Sequence, residues 1–223
     1  QNGVSLAQTF NDMNTQFEKM VMDLDTEVEA TAREINTYAE QIAMLNDEIY
    51  RVELSGNKAN DLRDKRNLIV DDLSKLIDIQ VVEVQDENTP YVKMNILVQG
   101  TPLVSHKENT FIKLNGGQLH DLTQDGKDAV PPRDNLSTLT VHNLTWDTGA
   151  PINQEALRGV LGGELAQRDN IDGDVKGVPY YVRMINEFAS EFAKAFNDVH
   201  KSGQGLQGET GLPLFAPNGD PGS

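Results

Sequence analysis

Apolar residues recur at steps of three and four along the first part of the chain. The positions are Phe10, Met13, Phe17, Met20, Leu24, Val28, Thr31, Ile35, Tyr38, Ile42, Leu45, Ile49 and Val52. That spacing predicts a heptad seam on one long helix, with one 3-4-4 stutter near Leu24 where supercoiling should relax. Thr31 is its weakest point. No proline interrupts it. About 45 helical residues make a rod of roughly 65 Å. A helix of that length needs a partner along most of it, because isolated helices are marginal in water.

Ser55-Gly56-Asn57 is a stop signal. Asn60 is placed to cap a second helix, with Asp61 and Asp64 in its first turn near the positive end of the dipole. Leu62, Ile69, Leu73 and Leu76 supply its apolar stripe, and the short break predicts an antiparallel hairpin. These helices occupy 1–78. The period then changes. Ile79, Val81 and Val84, then 91–98, read as strands joined by a turn over 86–90, and 136–144 reads as another strand. Gly100-Thr101-Pro102, Asn115-Gly116-Gly117, Asp125-Gly126 and Pro131-Pro132 are turn or loop signals, so 79–150 is expected to be a small antiparallel β-rich module.

Helical spacing returns over 151–201. Leu157, Val160, Leu161 and Leu165 predict a short helix, broken in part by Gly162-Gly163. Pro179 opens a longer one carrying Val182, Ile185, Phe188, Phe192, Phe196 and Val199, the expected partner of the first rod. Residues 202–223 are Gly/Pro-rich and read as extended. The fold class is α+β, mainly α: an elongated antiparallel helical bundle or coiled coil with an inserted small β-rich module.

Charge and composition narrow the function classes. The chain has 223 residues, a formal net charge of −16, no cysteine and only 6% aromatic residues. Such acidity disfavours nucleic acid and anionic membrane surfaces as partners. No cysteine means no disulfide, thiol catalysis or cysteine-held metal. No apolar run reaches about 18 residues, the length of a membrane span. The first residue is not Met and helical patterning begins almost at once, so the chain reads as a segment of something longer.

Candidate chemistry is thin. Gly203-Gln204-Gly205-Leu206-Gln207-Gly208 matches G-x-G-x-x-G, but a helix precedes it where the dinucleotide fingerprint needs a strand. Residues 169–174 look faintly like a calcium loop, yet its first ligand position would be Arg168, a cation. His106, His120, His142 and His200 share no metal-ligand spacing. The sequons at Asn135 and Asn143 mean little without a glycosylating host. The densest charge cluster is 60–72. Asp61 and Asp64 share a helical face, so a divalent ion is geometrically possible, but Lys65 stands i+4 from Asp61 and Arg63 and Arg66 add positive charge. A solvated charge network fits better than a catalytic or metal site, and no cofactor is expected.

The order of motifs resembles a known family. Ile35-Asn36 and then 41–49, with Gln41, Leu45 and Asn46, resemble the "IN…QIAxLNxxI" helix of the flagellar hook-associated FlgK family. Residues 60–66, with Asn60, Asp61, Leu62, Asp64 and Arg66, followed by Leu73-Ser74, are similar to its "NxLxDxRDxLxxxLS". Residues 100–104 resemble "GxxLV", and 162–169, with Gly163 and Arg168, "GGxLxxRD". Residues 196–203, with Asn197 and Gly203, resemble "xNxxHxxG", with Leu214-Phe215 after them. The blocks run in family order over 35–215. Asn67 stands where the family usually has Asp, and Arg63 where a small or apolar residue is common.

The resemblance implies a structural protein of the bacterial flagellum, not an enzyme, exported through the flagellar channel to the cell exterior. Implied partners are the hook protein, a second junction protein, further copies in a ring and an export chaperone, with no nucleic acid and no membrane. The chain is expected to be monomeric by itself. Asp64, Arg66, Asp71 and Asp72 are the expected subunit-contact residues. The competing readings are a coiled-coil ligand-sensing or adhesive ectodomain with a β head, and a divalent-dependent hydrolase built on Asp61 and Asp64.

Overall fold

In a computed structural model, the chain is described over residues 2–85, 91–119, 136, 139–203, 211 and 215, with the side chains of 2–4 and 118 excepted. Helix α1 runs Asn2–Leu54, 53 residues without interruption, or about 80 Å. Helix α2 is Asn60–Leu76, α3 is Gly159–Asp169 and α4 is Val178–Lys201. Among the described residues the structure is mainly α with a small antiparallel β part, the predicted class.

The three shorter helices lie along α1 one after another, all antiparallel to it. Arg63 and Arg66 of α2 meet Glu53 and Asn46 of α1. Glu164 and Arg168 of α3 meet Thr31 and Asp25. Phe188 of α4 meets Phe10, and Val178 and Val182 cluster with Val21. Chain order along α2, α3 and α4 thus reads α1 backwards. The predicted partner α4 covers only its N-terminal part.

The fully buried stripe of α1 differs from the predicted seam. Val21, Asp25, Val28, Ala32, Ile35, Ala39, Ile42, Asn46 and Ile49 are at most 4% exposed. Their steps alternate four and three without a stutter, so the break expected near Leu24 is absent from this stripe. Val28, Ile35, Ile42 and Ile49 belong to both patterns. The predicted seam follows one flank, where Thr31 and Leu45 are also buried but Met20 is 49% exposed. Apolarity alone misplaces the stripe because two of its positions are polar and two are alanine. Each fully buried Val or Ile contributes about 1.5–3 kcal/mol relative to exposure.

Two small sheets, which lie between α2 and α3 in chain order, pack against α1. Strands β1 Gln80–Gln85, β2 Val92–Val98, β3 Thr101–Ser105 and β4 Glu108–Asn109 form an antiparallel meander in chain order. Strands β5 Ile112–Gln118 and β6 Thr140–Trp146 pair antiparallel as a second sheet. A two-residue turn links β2 and β3, with φ of 51° at Gln99 and 80° at Gly100, a left-handed pair that suits the twist of a tight hairpin. The Asn115-Gly116-Gly117 segment, expected as a turn, lies inside β5, where Gly116 and Gly117 pair with His142 and Val141. The strand expected at 136–144 begins instead at Thr140. The loop signals at 125–126 and 131–132 and the turn at 86–90 lie outside the described residues. The main apolar cluster mixes α1, α2 and α3 with both sheets and holds the single tryptophan, Trp146.

The joint between α2 and α3 is tight. Gly159 has φ +81°, and a Cβ there would stand 2.8 Å from the Leu76 carbonyl. Gly162 packs against the Leu157 carbonyl without breaking α3, contrary to the expected interruption, whereas a Cβ at Gly163 meets nothing within 4 Å. Gly159→Ala should therefore destabilise the protein by about 1–3 kcal/mol through strain and collision. Gly163→Ala should be neutral or stabilising by up to about 1 kcal/mol through helix propensity. Urea denaturation of the two variants beside the parent checks both.

Candidate functional site

The polar residues of the family-like motifs sit at junctions between elements. Asn36 reaches from α1 to the start of β5 and acts as a strand edge. Its Nδ2 donates to the Ile112 carbonyl at 2.8 Å and its Oδ1 accepts the Ile112 N–H at 2.8 Å. Asn46, fully buried one stripe position before Ile49, donates to the His106 carbonyl at 2.7 Å. Its Oδ1 accepts from Arg66 Nη1 at 2.8 Å, while Tyr91 Oη donates to its backbone carbonyl at 3.2 Å. One asparagine thereby joins α1, α2 and the first sheet.

Arg66 corrects the sequence reading. It is 2% exposed, so it cannot be a subunit contact on the outer surface of the described fold. Burial, then repulsion from Arg63, pulls its pKa below the ordinary arginine value. Its neighbour Arg63 instead forms a two-bond pair with Glu53, both at 2.8 Å. That contact holds the Glu53 carboxyl below the usual carboxylate range. Asn60 is also corrected. It is the first helical residue, the cap position falls on Ala59, and no side-chain cap bond forms. The described ion pairs do not include Asp61 with Lys65. Arginines from this cluster point inward because α1 offers them a carboxylate and an amide, which solvent-facing spacing rules cannot reveal.

The second node centres on Arg168, 0% exposed. Its Nη1 donates to Asp25 Oδ1 at 2.6 Å and to the His142 carbonyl at 2.9 Å. Its Nε and Nη2 grip both oxygens of Asp169 at 2.6 and 2.8 Å. Asp25 also accepts the His142 N–H at 2.8 Å, and its Oδ2 lies 2.8 Å from His142 Nδ1. Burial works against the charged guanidinium, but Asp169 and Asp25 outweigh it and raise the Arg168 pKa. The node ties α1, α3 and β6. Two acids of the faint calcium loop are thus engaged by arginines, Asp169 by Arg168 and Asp172 by Arg183 at 3.0 Å. Asp25 escaped sequence reading because it stands in an acidic run with Asp23, Glu27 and Glu29, and no motif marks it off from them.

The remaining predicted residues divide by exposure. Leu45 and Leu73 are buried, and Leu62 packs on Ile49, Ala59 and Tyr91. Gln41, Asn60, Asp61, Asp64 and Asp71 are exposed. Asp72 is half-buried and pairs with Lys75 at 2.7 Å. Gly203 closes α4, its N–H bonded to the His200 carbonyl, while the rest of the glycine motif and His120 lie outside the described residues. Among the described residues no three His, Asp or Glu side chains come together as a metal-binding group, and no helix is long and apolar enough to cross a membrane.

Comparison with known proteins follows the same lines. A family model, the flagellar hook-associated protein FlgK helical domain, matches residues 1–215. The chain belongs to the FlgK family. It is 29% identical over 216 residues to flagellar hook-associated protein 1 of Bacillus subtilis, covering 96% of this chain and 42% of that protein. The protein of that name from Escherichia coli is 30% identical over 191 residues, covering 84% of this chain and 30% of that protein. The chain therefore spans less than half the length of these relatives. A solved structure, the flagellar hook junction protein FlgK from Burkholderia pseudomallei, shares the fold, with a TM-score of 0.65 at 21% identity over 94% of this chain and 34% of that one. In this family member, the motif residues Asn36, Asn46, Arg66, Arg168 and Asn197 serve as internal ties.

Two experiments check these nodes. Arg168→Leu should destabilise by about 3–5 kcal/mol, because it leaves Asp25 buried without its cation. Adding Asp25→Leu should recover a substantial part of that loss in urea denaturation. Glu164 gives a pH signature. Burial raises its pKa, the Thr31 hydrogen bond opposes the rise, and its Oε2 is buried without a partner among the described residues. A carboxyl with a raised folded pKa binds its proton more tightly when folded. Its stabilising contribution is therefore present below the ordinary carboxylate range and is lost as pH rises through the folded value. Glu164→Gln should raise Tm at neutral pH and shift it little in acid.

Proposed function

We propose that this chain is the helical domain of a structural adaptor that joins hook and filament in the bacterial flagellum. It acts through contacts between subunits and not by turnover. The observation that carries the reading is the family match over residues 1–215, borne on a rod whose motif residues brace its interior. A continuous helix with three antiparallel partners is a stiff element, suited to link two tubes end to end. The reading places the protein outside the cell after export through the flagellar channel. Its partners are then the hook protein, a second junction protein, neighbouring copies and an export chaperone for the full chain.

The contact surface in this reading is the charged outer face that the internal ties leave free. Asp64 and Asp71 stand exposed on α2, and Asp72 flanks them. Charges at a rim steer and register partners more than they add affinity. The test uses the full-length parent in a flagellate strain deleted for its own hook-associated protein 1. Filaments and swimming should return, with the protein at the hook–filament boundary by immunogold microscopy. Asp64→Lys combined with Asp71→Lys should leave Tm nearly unchanged and cut the number of filaments per cell. A parent that expresses and folds but lies elsewhere on the cell would overturn the proposal.

A further inference from the structure

Asn197 and Phe215 stand 18 positions apart, yet one amide joins them at two points. Asn197 Nδ2 donates to the Phe215 carbonyl at 2.7 Å, and the Phe215 N–H donates to Asn197 Oδ1 at 2.8 Å. The Phe215 ring stands edge-on to Phe192 and Phe196, with centroids 6.1 and 6.3 Å away. It also lines the open groove between α1 and α4, beside Leu6, Phe10, Ile185 and Ala189. The same two-bond device, at Asn36 and Ile112, holds β5 against α1. In both places a planar side-chain amide fixes a distant stretch of backbone to a helix.

We propose that Asn197 and Phe215 form a clasp that sets the direction in which the chain leaves α4. The chain beyond Phe215 is then coupled to the α1/α4 end of the rod and does not trail from Ser202. A helix end followed by Gly203 does not by itself transmit orientation, since glycine is the most permissive backbone unit. Two hydrogen bonds from one planar amide restrain rotation as well as distance. The phenylalanine ring beside them adds edge-on contacts with Phe192 and Phe196. That this coupling bears load at a junction rests on the function proposed above. The clasp itself is testable in the isolated protein, so the two can fail separately.

The chain has no cysteine, so Glu187→Cys and Ala216→Cys can carry a clean spin-label pair. The parent should show one narrow distance distribution. Asn197→Asp keeps the size of the side chain but loses the Nδ2 donor, and Phe215→Ala removes the ring. Each should broaden the distribution roughly twofold or more and speed tryptic cleavage after Lys201 on the order of tenfold. Far-UV circular dichroism and Trp146 fluorescence should stay at parental values, which separates loss of the clasp from general unfolding. A broad distribution in the parent, or no change in either variant, overturns the clasp. Broadening by Phe215→Ala alone also overturns it, since apolar packing would then suffice.

Discussion

A helix of 53 residues cannot hold itself in water, and the rest of the fold answers that constraint. Its buried stripe runs from Val21 to Ile49 at strict heptad spacing and must be covered throughout. Among the described residues no single partner is long enough. Helices α2, α3 and α4 therefore dock in sequence, each antiparallel, with the two sheets filling the side that the helices leave open. Alanines at 32 and 39 allow close approach, while Val and Ile at the alternate positions supply most of the apolar area. Tight joints follow from this relay, and Gly159 is one of them.

Successive partners on a repetitive stripe raise a register problem. Apolar side chains slide with little penalty, whereas buried polar groups must meet particular atoms. Asp25 and Asn46 interrupt the stripe at two points, and each selects its own partners. Asp25 takes Arg168, which sets α3. Asn46 takes Arg66, which sets α2, and the His106 carbonyl, which sets the first sheet. Asn36 does the same for the second sheet. Each of these residues bonds to atoms of a different element, so its hydrogen bonds are satisfied in the observed register of that element on α1. Burial and the nearby charge of Arg63 shift Arg66 down, whereas Arg168 is shifted up because its guanidinium is hydrogen-bonded directly to the carboxylates of Asp169 and Asp25.

Spacing and breakers alone account for the long helix, its stop near Ser55, the α2 stripe at Leu62, Ile69 and Leu73, the change of period near residue 79 and the α4 helix. The chemistry of the candidate site is less legible in the sequence. Arg66 stands among charges at solvent-like spacing and is buried. Asp25 and His142 carry no motif and are central to their node. Asn115-Gly116-Gly117 has turn composition and is strand, because pairing with β6 outweighs local preference.

Element type and order are properties of the sequence, since helix and strand periodicity are local and each element carries its own pattern. The family is likewise written there, in motifs that recur in order along the chain. Which face of α1 is innermost, and which polar residues are internal, is settled only by the packing of the folded chain. Burial of a polar side chain depends on a partner supplied by a distant part of the chain, and neither spacing nor propensity encodes that partner. Asn46 with Arg66 and Asp25 with Arg168 exist as pairs only once α2 and α3 have taken their places along α1.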